Sequence, residues 1–387
     1  MTTAQQLQRF NPLPVLLLTG TVYLNFLGRL IFSPLLVEIE AEFQVGHAVT
    51  GSFFLIIAVG FSTAMLLSGF IARILEHRST IQLASLLVVL SLLVVALSPG
   101  LPIIQAGLFF LGAGAGLYAP SGIAALTEMV NSEHWGKAIA FHDAGPNLAF
   151  ISAPFLANLL LPLMSWRGAV AVVAGATGAM LLLFSLTSHA GRFHGDLPRF
   201  STVRELVRQK RFWAVGGYFV LAASAAIGVF AILPTYLTVE RNFDATTVNT
   251  VVGLSRISGV FMVFLSGFLR DRLGERILIG SVVAIGGILT LLFGILRGEA
   301  LLVAVFLQPA VVAAFFPAAL SALSRIGTAR SRNVVVSLMI PTANIVGAGI
   351  FPSVMGLLGD AGMFYLGFLA LGSLMVLSLT MVPMLDQ

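Results

Sequence analysis

The segment SGFLRDRLGER (Ser266–Arg276) repeats, with changes, an earlier segment of the chain, SGFIARILEHR (Ser68–Arg78). The offset of 198 residues between them also places Pro154 on Pro352. Three further pairs lie at a similar offset of 200: Pro34 and Pro234, Glu40 and Glu240, Phe43 and Phe243. Because these matches occur in order, they predict that the chain contains two copies of one structural unit.

The composition is that of a membrane protein. Of the 387 residues, 58% are hydrophobic and 10% are charged, and the mean hydropathy is +1.00. Apolar runs of about 20 residues, enough to span the hydrocarbon of a bilayer, recur along the whole chain. The first run is too long for the core of a signal peptide, so we expect it to be retained as a helix. The sequence predicts an all-α polytopic protein embedded in a lipid bilayer.

Hydropathy predicts twelve spans, six in each copy. Those of the first copy are 13–37, 48–71, 80–98, 101–127, 138–161 and 168–188. Those of the second are 212–238, 246–269, 277–296, 300–323, 334–358 and 362–384. We therefore expect an N-terminal six-helix bundle (1–188), a cytoplasmic linker (189–211) with a short amphipathic helix from about Ser201, and a C-terminal six-helix bundle (212–387). Since six is even, the two copies run the same way through the membrane.

The distribution of Lys and Arg predicts the orientation. With the N-terminus in the cytoplasm, 16 of the 21 Lys and Arg residues fall in cytoplasmic segments, 3 fall outside and 2 fall within spans. This bias predicts that both termini are cytoplasmic. It also explains the net charge of +5 without a nucleic-acid partner, which we do not expect. We expect the protein in the inner or plasma membrane.

Twelve helices in two parallel halves with a basic central loop resemble the major facilitator superfamily over essentially the whole chain. The family signature, G-x3-D-R-x-G-R-K after the second helix of each half, is matched in the second copy by Gly267, Asp271, Arg272, Gly274 and Arg276. The resemblance implies two pseudo-symmetric bundles that rock about a central cavity. It also implies that Gly267, Asp271, Arg272 and Arg276 form part of a cytoplasmic gate.

The first copy of the signature and two efflux patterns depart from the family forms. Arg73 stands where the first copy should have aspartate. Leu108 replaces the arginine that opens the fourth-helix antiporter pattern, and APFLAN (Ala153–Asn158) keeps only the proline of the fifth-helix drug-efflux pattern. The two efflux departures argue against a proton-driven drug exporter.

Two arginines lie inside predicted spans, Arg29 in the first and Arg256 in the eighth. An arginine at mid-membrane costs about 2.5–3.5 kcal/mol on insertion scales, so it needs a partner or a wet cavity. A guanidinium binds carboxylate or phosphate through two parallel hydrogen bonds. The resemblance places both helices beside the cavity, as in organic-anion carriers of the family. We expect Arg29 and Arg256 to bind an anion between the halves; the alternative is a structural arginine bonded to backbone carbonyls.

Other polar residues at similar depth are candidates for lesser roles. His142 and Asp143, in FHDAGPN (Phe141–Asn147), are candidates for proton coupling, because histidine titrates near neutral pH; the alternative is a contact of the cytoplasmic gate. Seven residues are candidates to shape the pocket, each with helix–helix hydrogen bonding as the alternative: Asn25, Tyr118, His142, Asn147, Tyr236, Gln308 and Asn344.

No pattern in the sequence points to catalysis, a cofactor or a metal. GAGAG (Gly112–Gly116) lacks the Lys-Ser/Thr ending of a phosphate loop and lies in an apolar span, so we expect it to permit close helix packing. Zinc-ligand spacings and catalytic triads are missing, and the absence of cysteine excludes disulfides and thiol chemistry. The sequence does not predict an enzyme.

We therefore expect a monomeric secondary transporter that moves a small organic anion, a carboxylate or phosphate ester, by alternating access with proton coupling. One alternative is an exporter of lipophilic or amphipathic compounds such as drugs, lipids or siderophores. Another is a membrane receptor on the same scaffold that transports nothing.

Overall fold

The computed structural model describes residues 12–195, 208, 210–324 and 332–385. In the N-terminal half these residues form six helices, which follow one another through short turns. They are α1 (Pro12–Leu30), α2 (Phe32–Phe43), α3 (His47–Leu97), α4 (Leu101–Glu128), α5 (Trp135–Leu160) and α6 (Trp166–Thr187). One 3-10 turn, Ser132–His134, leads into α5.

The C-terminal half contains nine helices among the described residues. They are α7 (Lys210–Ala223), α8 (Val229–Thr235), α9 (Ala245–Leu273), α10 (Glu275–Ile295), α11 (Gly298–Ala313), α12 (Phe315–Ser324), α13 (Arg332–Ala343), α14 (Phe351–Asp360) and α15 (Phe364–Leu377). Three π-helical turns interrupt or end the spans: Ser224–Gly228, Tyr236–Glu240 and Asn344–Ile350. A 3-10 segment, Ser378–Leu385, follows α15.

Each of the twelve predicted spans is helical. In the described part of the chain, 9 helical segments are long and apolar enough to cross a membrane, or 10 if the pair Ala245–Val263 and Leu265–Leu273, bent by 44°, is one span. Two features bring this number below the twelve predicted spans. The helix α3 is one 51-residue helix that contains two predicted spans, and α5 contains the more polar segment FHDAGPN (Phe141–Asn147). The fold is the all-α polytopic fold that the sequence predicts. The linker helix predicted from Ser201 lies outside the described residues, and the domain boundaries stay a prediction.

The glycine cluster of α4 allows this helix to lie directly against α3. A Cβ atom at Gly112 would come 2.0 Å from the carbonyl oxygen of Ile57, and one at Gly116 would come 2.1 Å from that of Phe61. A side chain at either position would collide with backbone, which cannot move aside as a flexible side chain can. The cluster is therefore a packing surface, as predicted.

The long helix α3 changes direction at Glu76, whose φ of 68° and ψ of 159° are not helical. The segment that follows α6 runs across this kink. The backbone N–H groups of His77 and Arg78 donate to the carbonyls of Phe193 and Gly191, at 3.0 and 2.8 Å. These bonds satisfy donors that a new helical turn leaves without partners.

The two halves touch most closely at one end of the molecule, which we call the Asp360 end. There the backbone N–H groups of His47 and Ala48, which open α3, donate to the carboxylate of Asp360 at the end of α14, at 2.6 and 3.1 Å. The side chain of Asn158 on α5 accepts from Asn249 on α9 at 2.9 Å and donates to the carbonyl of Thr246 at 3.0 Å. We call these two sets of bonds the Asp360-end seal.

Candidate functional site

Arg29 lies near the end of α1, where its guanidinium faces aromatic rings. Its Cζ is 4.2 Å from the ring centroid of Phe26 and 5.1 Å from that of Phe61. Its Nε donates to the carbonyl of Asn25 over a long 3.4 Å. Its Nη2 is buried and has no hydrogen-bond partner among the described residues. One end of the guanidinium therefore keeps its donors unused.

Arg256, on α9, has a similar environment that includes the other half of the molecule. Its Cζ is 4.9 Å from the ring centroid of Phe150 on α5 and 4.8 Å from that of Phe230 on α8. Its Nη2 donates to the carbonyl of Ala226 at 3.2 Å, whereas its buried Nε has no partner within the described ranges. Arg256 thus lies at the interface between the halves.

Neither Arg29 nor Arg256 takes part in any of the ion pairs that the described residues form. A charge removed from water without a counter-charge costs several kcal/mol in order-of-magnitude terms. The rings recover part of this cost, since a cation over an aromatic face gains about 0.5–2 kcal/mol. The remaining deficit makes both guanidinium groups suitable for an incoming anion.

The two arginines are connected through aromatic rings. Phe150 contacts Phe230 edge-on at 4.9 Å between centroids and lies 6.5 Å from Phe26, which in turn contacts Arg29. Phe150 and Arg256 lie about two helical turns, or about 11 Å, from the Asn158–Asn249 bond along their helices. The arginine site therefore lies directly behind the Asp360-end seal.

A π-helical turn supplies backbone acceptors to this site. Within Ser224–Gly228, the carbonyl of Ala225 accepts from Nε2 of Gln308 at 3.0 Å, and the next carbonyl, of Ala226, accepts from Arg256. The Oε1 of Gln308 is buried without a partner in the described part of the chain. The sequence predicts that Gln308 and Arg256 line one pocket, but it contains no signal for the π turn whose adjacent carbonyls accept from both side chains.

His142 and Tyr118, both buried, form the second polar cluster. The Tyr118 hydroxyl lies 2.8 Å from the carbonyl of Leu18 and 2.9 Å from Nε2 of His142. A hydroxyl has one proton, which the carbonyl requires, so Nε2 of His142 must donate to the Tyr118 oxygen. Nδ1 of His142 lies 3.4 Å from the exposed carboxyl of Asp143. That contact needs a proton on one of its two partners.

The remaining pocket candidates lie in other surroundings. Asn25 is buried beside Arg29, and Asn147 donates to the carbonyl of Asp143 at 2.9 Å. Asn344 begins the third π turn and reaches the carbonyl of Ala58, in the other half, at 3.5 Å. Tyr236 bonds to the carbonyl of Phe293 and accepts from Arg241.

Arg241 also lines a cleft of about 510 Å³ at the Asp360 end of the C-terminal half, together with Glu240, Arg297 and Tyr365. The residues that line this cleft do not include Arg29 or Arg256. Through its contact with Arg241, Tyr236 lies beside this cleft and not beside Arg29 or Arg256.

The predicted cytoplasmic gate residues lie at the junction of α9 and α10. Asp271 accepts from its neighbour Arg270 at 2.7 Å, and the guanidinium of Arg272 lies 4.3 Å from the ring centroid of Phe268. A Cβ at Gly267 would meet nothing within 4 Å. Arg276 follows in the first turn of α10. The side chain of Asp271 is exposed and that of Arg270 is partly exposed, so the signature segment lies at the surface of the second half.

No group of three or more His, Asp or Glu side chains with the geometry of a metal site occurs among the residues that the structure describes. The arrangement is that of a multi-pass helical protein with a charged site at the contact between two halves. This architecture defines a class, the secondary transporters with two related bundles.

The chain belongs to the major facilitator superfamily, whose family model matches residues 18–298. No curated protein sequence matches it. It is similar in fold to a bacterial homolog of the human lysosomal transporter Spinster in an inward-facing and occupied conformation. That structure has a TM-score of 0.79 and 14% identity, with 98% of this chain and 97% of the other covered.

Two other solved structures share the fold. One is a POT family transporter in complex with 5-aminolevulinic acid, with a TM-score of 0.83, 11% identity and 99% of both chains covered. The other is a D-xylose-proton symporter, with a TM-score of 0.79, 15% identity, and 95% of this chain and 96% of that chain covered. The chain is thus a multi-pass membrane protein of a superfamily of secondary transporters.

Proposed function

We propose that this transporter carries a small organic anion, a carboxylate or phosphate ester, and that Arg29 and Arg256 bind its charged group. The observation that carries the proposal is that each arginine lies at mid-span with a buried nitrogen that has no partner in the described ranges. Charge-assisted hydrogen bonds to an anion are roughly twice as strong as neutral ones, and an anion would remove the cost of two unpaired cations.

The position of the arginines supports alternating access. Arg29 belongs to the first half, and Arg256 contacts both halves. An anion between them draws the halves together, because it replaces repulsion between two cations by attraction to one shared ligand. The Asp360-end seal closes the site on one side. With both termini in the cytoplasm, this is the outer side.

Proton coupling is supported by the cluster of Tyr118, His142 and Asp143. Nε2 of His142 donates to Tyr118, and Nδ1 lies 3.4 Å from the carboxyl of Asp143, so a proton can pass between the two groups. The carboxyl is exposed, so this proton can exchange with water, while the imidazole is buried on α5, the helix that also carries Phe150. One fold relative is a D-xylose-proton symporter, and another binds 5-aminolevulinic acid.

The direct test is anion binding by the purified monomer, measured as a shift in unfolding temperature, because a ligand stabilises the folded state according to its concentration relative to its Kd. Carboxylates and phosphate esters should stabilise the wild type, and Arg29→Gln or Arg256→Gln should abolish the shift. Arg297→Gln, a change of the same charge at an exposed loop residue, is the control and should keep it. Unchanged shifts in both central variants would refute the proposed site.

A second candidate function is export of amphipathic compounds, and it is favoured by the phenylalanine rings around both arginines. Each guanidinium also has one backbone carbonyl as an acceptor, which is part of what a structural role would require. A temperature shift given only by lipophilic cations or neutral lipids would support the exporter. Ligand binding without any flux in reconstituted vesicles would support a receptor.

A further inference from the structure

Three phenylalanine rings form a continuous wall between the two arginines. Phe26 is on α1, Phe150 on α5 and Phe230 on α8, so the wall takes rings from both halves. Phe230 is fully buried, whereas Phe26 and Phe150 are each partly exposed. Phe26 lies against Arg29 and Phe150 against Arg256, so a molecule bound at either guanidinium has a partly exposed ring close by.

Each guanidinium lies against phenylalanine rings and still keeps a buried nitrogen that has no partner in the described part of the chain. The N–H bonds of a guanidinium lie in its plane and point outward from its central carbon. The unpartnered atoms are Nη2 of Arg29 and Nε of Arg256, both edge donors. An anion bound to either nitrogen therefore has its uncharged part close to the phenylalanine wall.

We propose that Phe26 and Phe150, with the buried Phe230 packed behind them, form a subsite for a flat unsaturated ring, so that the cargo is an aromatic organic anion. This inference rests on the proposed function, because the arginines hold its carboxylate or phosphate. An aromatic ring gains from edge-to-face or offset contact with phenylalanine beyond what its buried area provides, whereas a puckered saturated ring of the same size does not. Phe150 is the central member, since it contacts both other rings and Arg256.

The test compares benzoate with cyclohexanecarboxylate, which has the same charge and ring size but no aromatic face. The Kd of each is measured by calorimetry on the full-length wild type, on Phe150→Leu and on Phe150→Tyr. Phe110→Leu, at a half-exposed ring on α4, is the matched control. We expect the wild type to bind benzoate about tenfold more tightly than cyclohexanecarboxylate. The ratio should fall to about one in Phe150→Leu and persist in Phe150→Tyr and Phe110→Leu.

The outcomes separate this inference from the function on which it rests. Equal binding of the two acids by the wild type, or an unchanged ratio in Phe150→Leu, would overturn the aromatic subsite and leave the anion transporter in place. Failure of every anion to bind would overturn the proposed function and the subsite with it. If Phe150→Leu does not fold, the ratio of the two Kd values in the wild type and in Phe150→Tyr still tests the aromatic subsite.

Discussion

Glu76 and Gly274 occupy equivalent positions in the two copies of the signature and have the same backbone conformation. Glu76 has φ 68° and ψ 159°, and Gly274 has φ 80° and ψ 161°. This region of φ and ψ is adopted almost only by glycine, because a Cβ atom is crowded there. The second copy has the residue that suits the turn, whereas the first copy holds a glutamate in a strained backbone.

Replacement of Glu76 by glycine should therefore stabilise the protein. Relief of the strain is expected to raise the free energy of unfolding by about 1 kcal/mol. The measurement is the unfolding temperature in detergent. The reciprocal change, Gly274→Glu, is the control and should lower the temperature, since it meets open space but has the wrong backbone. A lower temperature for Glu76→Gly would show that its side chain contributes more than the strain costs.

Gly112 should tolerate no side chain. A Cβ there lies 2.0 Å from the carbonyl oxygen of Ile57, so Gly112→Ala must push α3 and α4 apart, at a cost of about 1–3 kcal/mol. Gly175→Ala on α6 meets nothing within 4 Å and should leave stability unchanged or slightly higher. Thermal unfolding of both variants is the measurement. Equal stability of the two would mean that α3 and α4 can separate freely.

Loss of the Asp360 carboxylate should open the seal. Asp360→Ala removes the acceptor for two N–H groups of α3, a capping loss of about 1 kcal/mol, or about a fivefold shift toward the open state. The chain has no cysteine, so spin labels at Leu163→Cys and Glu299→Cys report the separation of the halves without background. The longer distance should become more populated in Asp360→Ala. An unchanged distance distribution would show that the cap does not hold the halves closed.

Asn158 should act in the same way on the other side of the seal. Asn158→Ala removes the partner of Asn249 and leaves an amide with an unmet donor, which costs about 1–3 kcal/mol where it is buried. The same pair of labels should show opening, and the double variant with Asp360→Ala should open further. Asn242→Ala, in the exposed loop before α9, serves as the control and should not change the distances.

Tyr118→Phe should separate binding from energy coupling. The variant removes the group that joins the carbonyl of Leu18 to Nε2 of His142, and each buried partner left alone costs about 1–3 kcal/mol. Uptake driven by a pH gradient in vesicles should fall, while anion exchange without a gradient continues. Loss of both activities to the same extent would assign Tyr118 a structural role.

The parts of the fold that the sequence predicts are those with local causes. Each span is a run of apolar residues, and Arg29 and Arg256 are conspicuous because charge is expensive there. The wall of Phe26, Phe150 and Phe230 could not be predicted, since nothing distinguishes these three from the other phenylalanines among the 30 until the helices are packed. The π turn that gives Gln308 and Arg256 their acceptors likewise has no compositional signal, and Tyr118 and His142 were each noted without their contact.

Arg29 and Arg256, which form no ion pair with any residue that the structure describes, have an electrical consequence. In the proposed carrier the central site holds two positive charges, and each elementary charge that crosses the full membrane field involves about 2.3 kcal/mol per 100 mV. A bound dianion cancels both charges, and a monoanion cancels one. In the proposed carrier, the valence of the anion, together with any coupled proton, therefore sets the net charge of the loaded site and its response to the membrane voltage.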